Sequence, residues 1–193
     1  MMNPNLVADV HWLGDLVGFY GFFVTSSVLF VHMVQLPWMT GLWDTVGFVG
    51  GVLLSDATNK TLKMWVRDPR PSGAVPMILP RGWPGAGDDG TDMSMYHGPE
   101  QFGYPSGHAQ LSFYVLGFFY GLLRGRITMW WLDCVFVSLM TLYQRWSYRR
   151  HTVEQLLAGA VLGFGLGLAM YYVTQWVRLW ILGYGILGMP CKR

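Results

Sequence analysis

Apolar residues gather into five long runs, at about 14–36, 44–65, 107–124, 127–146 and 152–174. A helix needs roughly 20 mostly apolar residues to cross a bilayer. The pattern therefore predicts an all-α bundle of five transmembrane spans, a single integral-membrane domain over 1–193. A last stretch, 176–189, is apolar but short and glycine-rich. It can lie in the interface, re-enter, or form a sixth short span. The gap at 71–104 is rich in Pro, Gly and acidic residues, as in GWPGAGDDGTD at 82–92. That is loop chemistry, and a loop of this length is usually functional or mobile; it is expected to cover the site. No internal repeat or heptad array divides the chain, so one bundle is the expected architecture.

Composition agrees with a membrane setting. Of 193 residues, 52% are hydrophobic and 12% charged, against about 25% charged in a soluble domain. The net charge of +2 and the lack of a polybasic arm give no reason to expect nucleic acid as a partner. The two cysteines, Cys134 and Cys191, define no disulfide framework. The first twelve residues lack the basic start and early apolar core of a cleaved secretory signal, so the first run is expected to be retained as a span.

The cations concentrate in polar stretches between the runs: 63–71 (KMWVRDPRP) and 145–155 (RWSYRRHTVEQ), with a histidine-bearing third stretch at 105–108 (PSGH). Span counting puts all three at one membrane face. The second span ends at the first stretch and the third starts at PSGH. The fourth leaves the opposite face after Arg124 and Arg126 and returns at Arg145. By the positive-inside tendency the Arg124–Arg126 face is cytoplasmic, so the site is expected on the non-cytoplasmic face. That is the ER lumen in a eukaryote and the outer face of the plasma membrane in a prokaryote.

Each stretch has a chemistry. Lys63 and Arg70 lie seven apart, two helical turns, so on a continuing helix they share a face; Pro69 and Pro71 end the helix there and leave Arg70 at its frayed end. Together they can clamp a phosphate, Arg by its fork and Lys as a point charge; snorkelling span-end cations are the plainer reading. Ser106 suits an N-cap, Gly107 admits a ligand close to the backbone, and the first-turn N–H groups form an anion site. His108 in that turn can donate a proton to a leaving oxygen; a capped helix with an interfacial histidine is the alternative. In the third stretch Arg145 precedes His151 by six, and Gln155 follows His151 at i+4. His151 can attack phosphorus, with the Gln155 carbonyl accepting the other ring N–H. Arg149 and Arg150 can meet substrate or lipid headgroups.

The remaining polar positions are read structurally. Asp56, Asn59, Lys60 and Lys63 make a polar seam expected to face the bundle interior, with Asp56 pairing Lys60. His32 is expected to pack inside and His97 to be a solvated loop histidine. Gly159, Gly163, Gly165 and Gly167 form a small-residue face suited to close helix packing or to a homodimer.

Together, Lys-x6-Arg-Pro at 63–71, Pro-Ser-Gly-His at 105–108 and Arg-x5-His at 145–151 resemble the three signature motifs of the type 2 phosphatidic acid phosphatase (PAP2) superfamily. The resemblance spans about 41–173. It implies a metal-independent lipid phosphatase with no cofactor, acting by phosphoryl transfer in two steps. It implies His151 as nucleophile, His108 as general acid and then base for water, and Lys63, Arg70, Ser106, Gly107 and Arg145 as phosphate ligands. Two positions depart from the common pattern: Gln144 stands where Ser precedes the third-motif Arg, and Gln155 stands where Asp follows the nucleophile. Glu154, at i+3, points elsewhere around a helix. His-Thr-x-x-Gln at 151–155, Ala109-Gln110 and Asn59 are instead similar to the dolichyl diphosphate phosphatase branch. That implies a polyprenyl diphosphate as substrate, drawn from the membrane lipids. A broad lipid phosphate monoesterase acting on phosphatidate or sphingoid phosphates, or a non-catalytic phospholipid-binding protein, are the alternatives.

Overall fold

The computed structural model describes residues 20–72 and 98–183. Among these the regular structure is helical: α1 (Tyr20–Val34), α2 (Trp38–Val66), a 3-10 turn (Gly98–Gln101), α3 (Gly107–Leu122), α4 (Met129–Ser147) and α5 (Val153–Gly183). The five apolar runs therefore emerge as five helices. The expected break after 174 is absent, because α5 continues to Gly183. The segment 176–183 is thus part of α5, while 184–189, Cys191 and His97 lie outside the described residues, as does most of the 71–104 loop. By length and composition Val153–Ile181 qualifies on its own as a membrane-crossing helix, and Tyr20–Val34 is a shorter apolar one.

Helix ends follow local chemistry. The α2 chain leaves through Arg67 in the left-handed conformation (φ 53°), its N–H bonded to the Lys63 carbonyl. Pro69, which has no N–H, then cannot continue the helix. Ser106 caps α3, its hydroxyl accepting from the Ala109 N–H, and Thr128 caps α4 by accepting from that of Trp131.

The arrangement of polarity is that of a membrane protein. Large apolar side chains point outward, including Leu53, Trp65, Phe136, Val161 and Leu179. Inside, next to a cluster of Leu29, Met33, Phe48, Tyr114 and Phe118, lie Asp44, Ser55, Asn59, Lys63, Gln110, Arg145 and Gln155. An apolar exterior around a polar interior is favourable only where the surrounding solvent is itself apolar.

Helix α3 is the central element, buried along most of its length and packed on α2, α4 and α5. Its contact with α5 depends on missing side chains. A Cβ at Gly159 would stand 2.5 Å from the Ser106 carbonyl oxygen; at Gly163 and Gly167 it would strike those of Gln110 and Tyr114. Gly117 repeats this from the α3 side, against the Phe164 carbonyl. The small-residue face expected to serve packing or a homodimer is thus occupied by α3 at these three positions. A dimer through them would have to displace α3; only Gly165 faces open space.

The polar seam on α2 divides. Asn59 and Lys63 are buried, whereas Asp56 and Lys60 pair at 2.6 Å with both side chains about half exposed, so the inward orientation expected for all four holds for two. His32 packs on Phe119 with ring centroids 5.3 Å apart.

Replacing Gly163 by Val is expected to destabilise the fold by about 1–3 kcal/mol, because neither backbone can yield without separating α3 from α5. Gly165→Val should change little. Thermal unfolding of the two purified variants in detergent checks the contrast.

Candidate active site

The three polar stretches converge at one end of the bundle. The first is joined to the residues that lead into the second by the isolated antiparallel bridge between Pro69 and Phe102, and by the Gly103 N–H bonding to the Asp68 carbonyl at 2.8 Å. The second and third are joined by the Ser106 N–H, which bonds to the Gln155 carbonyl at 3.0 Å.

Arg70 links them further. Its Nε and Nη2 donate to the Glu100 carbonyl at 3.1 and 2.7 Å, and Nη1 donates to the Arg150 carbonyl at 3.0 Å. The same Nη1 lies 3.2 Å from His151 Nε2. Lys63, 1% exposed, reaches Glu100 Oε2 at 2.7 Å. Lys63 and Arg70 therefore converge on one group, the Glu100 carboxylate, which lies 3.9 Å from Arg70 Nη2.

His151 lies in the turn between α4 and α5. Its Nδ1 is 2.9 Å from the Gly103 carbonyl oxygen. A carbonyl can only accept, so Nδ1 carries the proton and Nε2 presents its lone pair, which Arg70 can only approach as a donor. Burial holds the His151 pKa well below the usual histidine range, and the charges of Arg70, Arg145 and Lys63 add to this, opposed by the Gly103 bond. The ring is thus neutral and basic at one defined nitrogen.

His108, in the first turn of α3, is close enough to Arg145, His151, Arg150 and Lys63 to feel their charges. Arg145 and Arg150 are buried, and the Arg150 N–H bonds to the Arg145 carbonyl. Arg149 is exposed, in the left-handed conformation. Below the site a buried network fixes the PSGH turn. Asn59 donates to the Pro105 carbonyl and to Gln110 Oε1, and Gln110 donates to the carbonyl and hydroxyl of Ser55. Gly107 packs on Asn59, where a Cβ would stand 3.1 Å from its side-chain oxygen.

One expectation is overturned. Gln155 does not orient His151. Its oxygen accepts from the Thr152 N–H at 3.0 Å, and its nitrogen donates to Asp68 Oδ2 at 2.6 Å and to the Pro69 carbonyl at 3.0 Å. The i+4 reading places both residues on one helix, but α5 begins at Val153 and His151 lies before it. Gly103 takes the orienting role, and a Cβ there would stand 2.5 Å from the Gln155 amide, so a larger residue would displace that side chain from its bonds to Asp68 and Pro69.

Sequence reasoning missed Glu100, Gly103 and Asp68, and underrated Arg150. Glu100 is one of several acids in and beside the 71–104 gap, and nothing in its spacing singles it out. Gly103 acts through its backbone, and Asp68 through its carbonyl and through a carboxylate bonded to Gln155, neither of which its spacing reveals.

The sign of the His151 shift sets a stability test. The unfolded chain takes up the proton near pH 6.5 and the folded chain only at lower pH. Stability is therefore retained above about pH 6.5 and lost as pH falls from there to the depressed folded pKa. Melting temperatures measured between pH 7.5 and 5 should fall more steeply in the wild type than in His151→Gln.

Comparison with known proteins accords with this geometry. The PAP2 superfamily model matches residues 44–179. Dolichyldiphosphatase 1 of Rhinolophus ferrumequinum is 27% identical over 178 residues, covering 84% of this chain and 67% of the relative. The proteins of that name from Homo sapiens and Mus musculus are 26% identical over the same shares. No solved structure matches the chain. With the family model covering most of the chain, and both histidines and the buried cations gathered at one end of the bundle, the protein belongs to the PAP2 superfamily and is a phosphatase.

Proposed function

We propose that the chain is a membrane-embedded, metal-independent phosphatase that hydrolyses a polyprenyl, dolichyl-type diphosphate to the monophosphate and phosphate. The observation that carries the mechanism is the bond between His151 Nδ1 and the Gly103 carbonyl, which leaves Nε2 as the one basic nitrogen, facing the cations. The diphosphate substrate is supported by the relatives' name and by the His-Thr-x-x-Gln string at 151–155. Five spans cross the bilayer in this reading, and the site opens on the non-cytoplasmic face.

In the first step the His151 Nε2 lone pair attacks the terminal phosphorus in line. The bond from that phosphorus to the bridging oxygen breaks, its electron pair stays on the leaving lipid monophosphate, and His108, protonated once the anionic substrate offsets the surrounding cations, supplies the proton. Lys63, Arg70, Arg145 and the N–H groups around Ser106 and Gly107 hold the transferred group and stabilise its equatorial charge. In the second step a water attacks the phosphohistidine and His108 takes its proton. The P–N bond then breaks, returning the electron pair to Nε2. Gln155 contributes by tying the first stretch to the start of α5, through Asp68 and Pro69.

Phosphate release from polyprenyl diphosphate, phosphatidate and sphingosine phosphate, with EDTA present, tests this reading. The diphosphate should be preferred, and His151→Ala and His108→Ala should each lower kcat by about 10²–10⁴-fold. Loss of activity on adding EDTA, or full activity in His151→Ala, contradicts the mechanism. Preference for phosphatidate contradicts the substrate assignment.

A further inference from the structure

Glu100 has a place that the mechanism does not use. Its Oε2 lies 2.7 Å from Lys63 Nζ and 3.9 Å from Arg70 Nη2, so a carboxylate stands between the two cations assigned to substrate phosphate. A buried ammonium without a counter-charge is costly, and Lys63 is 1% exposed. Glu100 meets that need in the resting protein. Its backbone is pinned, since Arg70 donates twice to its carbonyl, but its side chain is 40% exposed. The carboxylate can therefore rotate into water without any movement of the chain.

We infer that Glu100 is an internal counter-anion that occupies the phosphate clamp at rest and sets the minimum charge an entering ligand must bring. The inference rests on the phosphate-site reading above. A phosphodiester carries one negative charge and offers the cations no more than the carboxylate it would displace. A terminal phosphate carries up to two charges and three free oxygens, and so recovers more than the displacement costs. In a bilayer of phosphodiester lipids such a threshold keeps bulk headgroups out of the site while admitting terminal phosphates. The displacement cost is common to all anions, so its removal tightens the binding of every one of them.

Isothermal titration of the purified full chain in detergent at pH 7.5, with inorganic phosphate and with dimethyl phosphate, tests this in the wild type and Glu100→Gln. The wild type should bind inorganic phosphate, and dimethyl phosphate much more weakly. Glu100→Gln should bind both about five- to tenfold more tightly, the scale of one ion pair removed from competition. Unchanged or weaker binding of either anion in the variant overturns the inference, since Glu100 would then only support Lys63. If the wild type fails to bind inorganic phosphate, the phosphate-site reading itself fails. Should Glu100→Gln not fold, Glu100→Ala purified in inorganic phosphate and then dialysed is held to the same expected tightening and the same contrary results.

Discussion

The guanidinium of Arg70 is the interaction on which the rest of the site depends. It bonds to the backbone of Glu100 and of Arg150 and reaches His151, so one side chain ties the first polar stretch both to the turn that leads into the second and to the third. A rigid five-donor fork can do this; an ammonium cannot match its geometry. The same contact biases the chemistry, because a cation donating to Nε2 keeps that nitrogen unprotonated. Structure and reactivity of His151 are thus set by the same group.

Holding so many buried polar groups requires a scaffold that does not shift. The α3–α5 contact supplies it, with Gly159, Gly163 and Gly167 letting the α5 backbone lie directly against α3 carbonyls. The Ser55–Gln110–Asn59 network then fixes the Pro105 turn from α2. Buried amides of this kind are favourable when each donor and acceptor is met, and here they position the start of α3 beneath His108.

Much of this was legible in the sequence, because membrane-length apolar runs and clustered cations are strong signals. Each of the five runs contains a helix over its described residues, and the three polar stretches meet at one end of the bundle, as counting helices up and down predicts. What was not legible has identifiable causes. Helical spacing pairs Gln155 with His151 only if the helix begins two residues before the true start of α5 at Val153. The orienting group is a backbone carbonyl, Gly103, which no side-chain pattern can reveal. The glycine stripe on α5 fits packing within a chain or between chains equally well until α3 is placed. Glu100 is chemically ordinary until the fold sets it between Lys63 and Arg70.

The central claim is that Nε2 of His151 takes the phosphoryl group. It is tested most directly by brief reaction with polyprenyl diphosphate labelled at the terminal phosphorus, an alkaline quench that preserves phosphohistidine, and peptide mapping. The account predicts label on His151, at Nε2, and none in His151→Ala. Label on another residue, or phosphate release at the wild-type rate without His151, would contradict it.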